Sequence, residues 1–184
     1  ASNKNERQNA LTVEFGLACA LWTSGEYEGA ADTFLQVLKM DPSDPLFSRY
    51  WLASCLFQSE SMKALDNLLG QLDDNSGVWR FAQALHGFHR SGDTDDSQRL
   101  LIEAYDLEPG FVRYLLQDEV VDASREVRFN ANAAERAFGC ARLFLSAWRG
   151  IPGAATWARG ILKVPPSVMR DEGPRRFPQA ELRS

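Results

Sequence analysis

Residues 24–44, SGEYEGAADTFLQVLKMDPSD, decide the fold, because a looser copy of their pattern recurs at residues 91–110, SGDTDDSQRLLIEAYDLEPG. Gly25 and Gly92 are separated by the same number of residues as Pro42 and Pro109. That separation fits two repeats of about 34 residues and predicts a degenerate middle copy at about 45–77. The sequence therefore predicts three successive units of the same kind.

Each unit is predicted to contain two helices. Residues 11–22, LTVEFGLACALW, show helical spacing of apolar residues and are followed by Gly25, which can take the left-handed conformation that ends a helix. The second helix is predicted to end at Pro42, because proline disfavours helix in the preceding residue and cannot continue the hydrogen-bond ladder.

Small and large residues at fixed places are expected to pack these helices. Ala18 and Ala30 let the two helices of the first unit approach closely, and Phe34 fills the space against the next unit. We assign the equivalent places to Ala53, Ala64 and Leu68 in the second unit and to Ser97, Leu101 and Ala104 in the third.

Over about 11–110 this pattern resembles the tetratricopeptide repeat. The matching residues are Leu17, Ala18, Leu21, Gly25, Tyr27, Ala30, Phe34 and Pro42 in the first copy, and Phe81, Ala84, Phe88, Gly92, Leu101, Ala104 and Pro109 in the third. The resemblance implies an all-α protein, a right-handed α-solenoid of about three helical hairpins.

The remaining sequence is predicted to extend this helical array. Residues 1–10 are expected to form a polar, frayed extension, and residues 111–163 to form further helices that end in a capping hairpin. In that region Asn132 with Glu135 resembles a capping box, and Pro152 suits the first turn of the last helix. Residues 98–162 also resemble, faintly, the suppressor-of-tumorigenicity-seven family, which implies no activity. The Pro/Arg-rich tail, 164–184, is either disordered or an apolar strap over the last helices.

Composition excludes several classes of function. No apolar run is long enough to span a membrane. Residues 11–110 carry 16 acidic and 6 basic side chains, which argues against nucleic acid as a partner. The three cysteines form no C-x-x-C motif, so we expect neither disulfide nor zinc, and a reducing cytoplasmic location.

Catalytic chemistry has no motif in the sequence. His86 and His89 have no further ligand at a matching position on the same helix, so a polar surface is favoured over a metal site. The acidic turn GDTDDS is expected to cap the following helix. We therefore expect no enzyme activity, no cofactor and no metal.

In tetratricopeptide proteins, inward-facing residues of each first helix usually contact the ligand, and this resemblance implies an aromatic, nearly neutral groove. Its residues would be Phe15, Cys19, Trp22, Thr23, Tyr50, Ser54, Phe57, Gln58, Trp79, Ala82, His86, His89 and Arg90. A protein or peptide segment with apolar anchors is the expected partner. The alternative is that the groove aromatics pack against the protein's own tail, a missing part of the protein or a second copy.

Two functions follow from this interpretation. The first is a protein-interaction scaffold or adaptor that binds a partner segment in the groove. The second is a chaperone for secreted proteins, because bacterial secretion chaperones with three such repeats look similar. Those chaperones usually have a longer helical N-terminal arm for dimerisation, which we do not predict for this chain.

Overall fold

A computed structural model describes residues 2–165. Within that range the regular structure is entirely α-helical, with nine helices and no strand, which confirms the predicted all-α class. Each of these helices packs against at least one of its neighbours in sequence. The helices are α1 Ser2–Thr23, α2 Tyr27–Met40, α3 Ser48–Gln58, α4 Met62–Gln71, α5 Gly77–Ser91, α6 Asp95–Leu107, α7 Phe111–Leu116, α8 Ala133–Gly150 and α9 Ala154–Leu162.

The first helical pair follows the predicted packing. Gly25 takes φ +83° in the turn between α1 and α2, a conformation that costs glycine no Cβ clash. Ala18, Ala30 and Phe34 are completely buried. The Phe34 ring stacks on Trp51 of α3 with 5.7 Å between centroids. The predicted roles of these small and large residues are confirmed.

The second pair has a different register from the one predicted. Glu60, with φ +56°, has the positive φ that glycine has in the turns of the other two units. Leu65 and Leu69 are buried on α4, whereas Ala64 is exposed. The assignment of Ala64 and Leu68 is therefore wrong by one residue, because no glycine marks this turn in the sequence.

The third pair begins α6 with the cap expected from GDTDDS. Gly92 takes φ +73°, and Thr94 and Ser97 form a reciprocal capping box at the start of α6. Asp95 and Asp96 lie in the first turn, where negative charge stabilises the positive end of the helix dipole.

The N-terminal residues correct a second prediction. Residues 2–10 form the first part of α1 instead of a frayed extension, and residues 3–10 are exposed. No Gly or Pro interrupts α1 before Gly16, and Leu11 is buried at 3% exposure, which ties the early turns of the helix to the core. For the tail, the alternatives of disorder or strap concern residues 166–184, which lie outside the described range.

The α8 helix packs against four others: α3, α5, α7 and α9. Asn132 caps its start by accepting a hydrogen bond from the Glu135 N–H at 3.0 Å. After α8, Gly153 is the N-cap of α9, so Pro152 precedes that helix and does not lie in its first turn as predicted. Because α8 contacts α3 and α5, it does more than close the end of the helical row.

Candidate binding cleft

Most residues predicted to line an open groove are inaccessible. The half-buried ones are Phe15, Cys19 and Gln58, and the exposed ones are Thr23, His89 and Arg90. The buried ones are Trp22, Tyr50, Ser54, Phe57, Trp79, Ala82 and His86. The open-groove prediction is wrong for this buried group.

The chain itself covers the predicted groove along α3. Ser54 Oγ donates a hydrogen bond to the Leu143 carbonyl of α8 at 2.6 Å, and the Phe57 ring meets Phe144 edge-on at 6.1 Å. Gln58 donates to Ser146. An internal helix, rather than the tail or a second copy, therefore covers these aromatic and polar side chains.

The predicted residues of α5 do not share one surface. His86 Nε2 and Arg90 Nη1 each lie 2.9 Å from Asp66 Oδ1 on α4. The His86 hydrogen bond, with the nearby Arg90 charge, lowers the pKa of Asp66. His89 is exposed and lines a different cavity beside Gly150. His86 and Arg90, one helical turn apart, therefore meet the same carboxylate, whereas His89 lines the cavity beside Gly150. His86 is also buried rather than part of a polar surface.

The groove residues predicted on α1 lie together around one cleft of about 690 Å³. We call it the α1 cleft. It lies between α1, the α2–α3 connection and the segment 123–130, with one residue each from α3 and α8. Its lining consists of Phe15, Cys19, Trp22, Thr23, Pro45, Leu46, Phe47, Trp51, Ala123, Arg125, Glu126, Val127, Arg128, Phe129, Asn130 and Arg142.

Aromatic rings form the floor of the α1 cleft. Trp51 meets Phe15 edge-on at 6.0 Å and Trp22 edge-on at 5.3 Å, and Phe34 lies beneath it. Trp22 Nε1 donates to Ser54 Oγ at 3.1 Å, which fixes the indole. Such edge-on pairs contribute about 0.5–1.5 kcal/mol beyond their buried area. Phe15 and Trp51 are only half-buried, so a rigid aromatic surface stays accessible.

The opposite wall of the cleft belongs to the segment 117–132, which has no helix or strand and lines the cleft with residues of its part 123–130. Phe129 holds it in place: the ring is 5% exposed and packs edge-on against Tyr50 at 4.9 Å. Arg125 adds an ion pair with Glu135 at 2.6 Å. Irregular segments of this length inside a compact protein are commonly functional.

Positive charge lies at the edge of the cleft. The Arg142 guanidinium lies 4.6 Å from the centroid of the Trp22 ring. Burial lowers the pKa of Arg142, and the nearby Tyr27 opposes this effect. Arg125 and Arg128 line the same cleft together with one acidic residue, Glu126.

The thiol in the cleft is chemically inert. Burial raises the pKa of Cys19 to about 12, so the group is protonated at neutral pH and a poor nucleophile. Within residues 2–165, no three His, Cys, Asp or Glu side chains lie close enough together to hold a metal ion. The arrangement at the α1 cleft offers a contact surface of aromatic rings and guanidinium groups.

Sequence reasoning identified the α1 side of this cleft and missed the remainder. Phe47, Trp51, Arg142 and the segment 123–130 were not predicted. Trp51 lies on the side of α3 that faces α1 and α2, and its neighbour Tyr50 was assigned to the groove instead. Because consecutive residues of a helix point about 100° apart, Tyr50 and Trp51 could not both face the predicted groove directly.

A second cavity, of about 760 Å³, lies between α4, α5 and α6. Its arginines are all paired with carboxylates: Arg80 and Arg99 with Glu103, and Arg90 with Asp66. It contains no aromatic surface. The smaller α1 cleft is therefore the better candidate for a binding site.

Comparison of the chain with protein-family models, with curated proteins and with solved structures gave no match. Among residues 2–165, no helix combines the length and the hydropathy needed to cross a lipid bilayer.

Proposed function

We propose that this protein is an interaction scaffold or adaptor that binds a peptide or partner segment in the α1 cleft. The observation that carries the proposal is the accessible aromatic surface of Phe15 and Trp51, fixed from behind by Trp22 and Phe34. Aromatic and arginine side chains contribute most of the energy at protein interfaces, and a pre-ordered surface loses little conformational entropy on binding.

The proposed site is smaller than the groove expected from the sequence, because α8 contacts the inner side of α3 and α5. We further propose that the helix pairs form a right-handed α-solenoid of three tetratricopeptide-like hairpins. The equivalent turns at Gly25, Glu60 and Gly92 support this arrangement, since each joins the two helices of one pair.

Affinity capture with a paired variant tests the binding proposal. Phe15→Leu/Trp51→Leu removes the accessible rings but keeps apolar volume in the floor. Phe88→Leu/Trp157→Leu is the matched control, because these two half-buried rings stack at 4.5 Å in another part of the molecule. Circular dichroism first establishes that both variants are as helical as the native protein.

A partner that is retained by the native protein and the control, and lost by Phe15→Leu/Trp51→Leu, is the expected result. If all three proteins capture the same partners, the α1 cleft is not the binding site.

One observation favours the second candidate, a chaperone for secreted proteins. The α1 helix extends to Ser2 and exposes Val13 at 70% and Leu17 at 51%, which is a helical N-terminal surface of the kind such chaperones use to dimerise. Sedimentation of the native protein and of Leu17→Glu tests it. A dimer that dissociates in the variant favours the chaperone, and a monomer in both removes that support.

We propose a binding role without catalysis or cofactor, in a reducing cytoplasmic setting. The three cysteines are free thiols, and burial raises the pKa of each of them, which makes them poor nucleophiles at neutral pH.

A further inference from the structure

The charges around the α1 cleft restrict the kind of segment that it can take. Arg125 is paired with Glu135 at 2.6 Å, and Arg128 is paired with Glu126 at 3.0 Å. Arg142 forms no ion pair with any carboxylate of residues 2–165, and its contact is with the face of Trp22. The cleft therefore presents one unneutralised guanidinium group beside the aromatic floor.

The environment of Arg142 favours a carboxylate ligand. The side chain is half-buried, so it has lost part of its hydration without gaining a counter-charge. Among the charged residues that line the cleft, three are basic and one is acidic, although residues 11–110 carry 16 acidic and 6 basic side chains. The cleft is thus a positive site next to an acidic surface.

Geometry links this charge to the aromatic floor. Trp22 contacts both the Arg142 guanidinium, at 4.6 Å, and the Trp51 ring, at 5.3 Å. These two distances limit the separation between Arg142 and Trp51 to about 10 Å, which an extended chain spans in about three residues. One short segment can therefore contact both groups.

We infer that the α1 cleft takes a segment of a partner protein in which an Asp or Glu lies within about three residues of a bulky apolar side chain. The apolar side chain contacts Phe15 and Trp51, and the carboxylate accepts hydrogen bonds from Arg142. This inference rests on the proposed binding function and names its ligand chemistry.

The tail is less complementary to the cleft in net charge, although Asp171 lies within three residues of Met169. The tail, residues 166–184, carries four basic residues and three acidic ones, so it is weakly positive like the cleft: Arg170, Arg175, Arg176 and Arg183 against Asp171, Glu172 and Glu181. The competition arm of the experiment below distinguishes the tail from a partner.

A displayed library of random peptides of about twelve residues, long enough to exceed the three-residue span several times, tests the inference on the full chain. The library is selected in parallel on the native protein, on Arg142→Gln and on Arg99→Gln. Arg99 is an exposed arginine of α6 outside the cleft, so Arg99→Gln makes the same change of charge elsewhere. Phe15→Leu/Trp51→Leu serves as the background.

The native protein and Arg99→Gln should enrich peptides with an acidic residue beside an aromatic or aliphatic one. Arg142→Gln should lose the acidic preference and bind the best native peptide about tenfold more weakly or worse, because a hydrogen bond to a charged group is lost. Binding of that peptide to the native protein should also weaken with added salt.

Three results overturn the inference. Apolar peptides enriched without acidic residues, equally on native protein and Arg142→Gln, refute the carboxylate contact and leave the proposed function standing. Competition by a synthetic peptide of residues 166–184 makes the tail the occupant. Absence of enrichment over Phe15→Leu/Trp51→Leu refutes both the inference and binding of a linear segment in the cleft.

Discussion

Gly139 of α8 is the position where the smallest substitution should change both stability and the α1 cleft. A Cβ added at this glycine would lie 2.6 Å from Cε1 and 2.9 Å from Cζ of Phe129. Phe129 is the residue that holds the cleft wall, through edge-on packing on Tyr50 at 4.9 Å. Because the added methyl group meets a buried ring and not a flexible chain end, either the ring or α8 has to move.

The expected magnitude follows from two opposing effects. Alanine in place of glycine stabilises a helix interior by about 1 kcal/mol. Overpacking a filled core costs about 1–3 kcal/mol, and expelling the Phe129 ring costs about 1.5–3 kcal/mol of lost burial. Gly139→Ala should therefore lower the free energy of unfolding by up to about 2 kcal/mol after the helix gain is subtracted.

Gly16→Ala is the matched control. Gly16 also lies inside a helix, α1, but nothing is within 4 Å of its added Cβ, so this change should stabilise the protein by up to about 1 kcal/mol. Urea unfolding followed by circular dichroism measures both. The reasoning is refuted if Gly139→Ala stabilises as much as Gly16→Ala, or if Phe129→Leu, which shortens the opposing side chain, does not relieve the effect of Gly139→Ala.

Three further predictions concern a turn, a buried carboxyl group and the thiols. Glu60→Gly should raise the free energy of unfolding by about 0.5–1 kcal/mol in urea, because Glu60 holds φ +56°, which glycine adopts without strain; an unchanged midpoint would contradict this. Burial raises the pKa of Glu108 above 4.5, against the opposing hydrogen bond from Arg136. The folded protein then binds this proton more tightly than the unfolded chain. The free energy of unfolding, taken relative to Glu108→Gln, should therefore fall as the pH rises from 4.5 through the raised pKa of Glu108. A free energy of unfolding that rises over that pH range in urea unfolding would contradict the prediction. Because the pKa values of Cys19 and Cys55 are raised to about 12, a thiol reagent at about pH 8 should label the native protein far more slowly than the urea-unfolded chain, and equal rates would disprove their burial.

The helical hairpins were predictable because their signals are local. Gly25 and Gly92 take positive φ in their turns, and α2 ends directly before Asp41 and Pro42. In the second unit the predicted packing positions were wrong by one residue, because Glu60 has a positive φ that non-glycine residues seldom adopt. The sequence pattern does not mark this turn, because no glycine stands there.

The position of α8 was harder to predict, although a signal existed. The helix buries residues on more than one side, including Phe138, Leu143, Phe144 and Trp148. A helix that only closes the end of an array needs one apolar stripe, whereas a helix that is apolar over a wider arc has to be covered by several neighbours. The width of that apolar surface favours a central helix, and it was available from residues 137–148 alone.

The same helix explains why the middle of the predicted groove is covered, while its α1 end stays accessible. Where α8 faces α3 it places Phe144 on Phe57, and where it faces α5 it places Trp148 on Phe81 at 6.3 Å. Where it faces α1 it places the charged Arg142 on Trp22. Apolar contacts exclude water from the first two places, but a guanidinium group needs either water or a counter-charge. In the predicted groove, α8 thus covers side chains of the second and third units. At the first unit it leaves a cation beside half-exposed aromatic rings, where in our proposal the carboxylate of a partner replaces water.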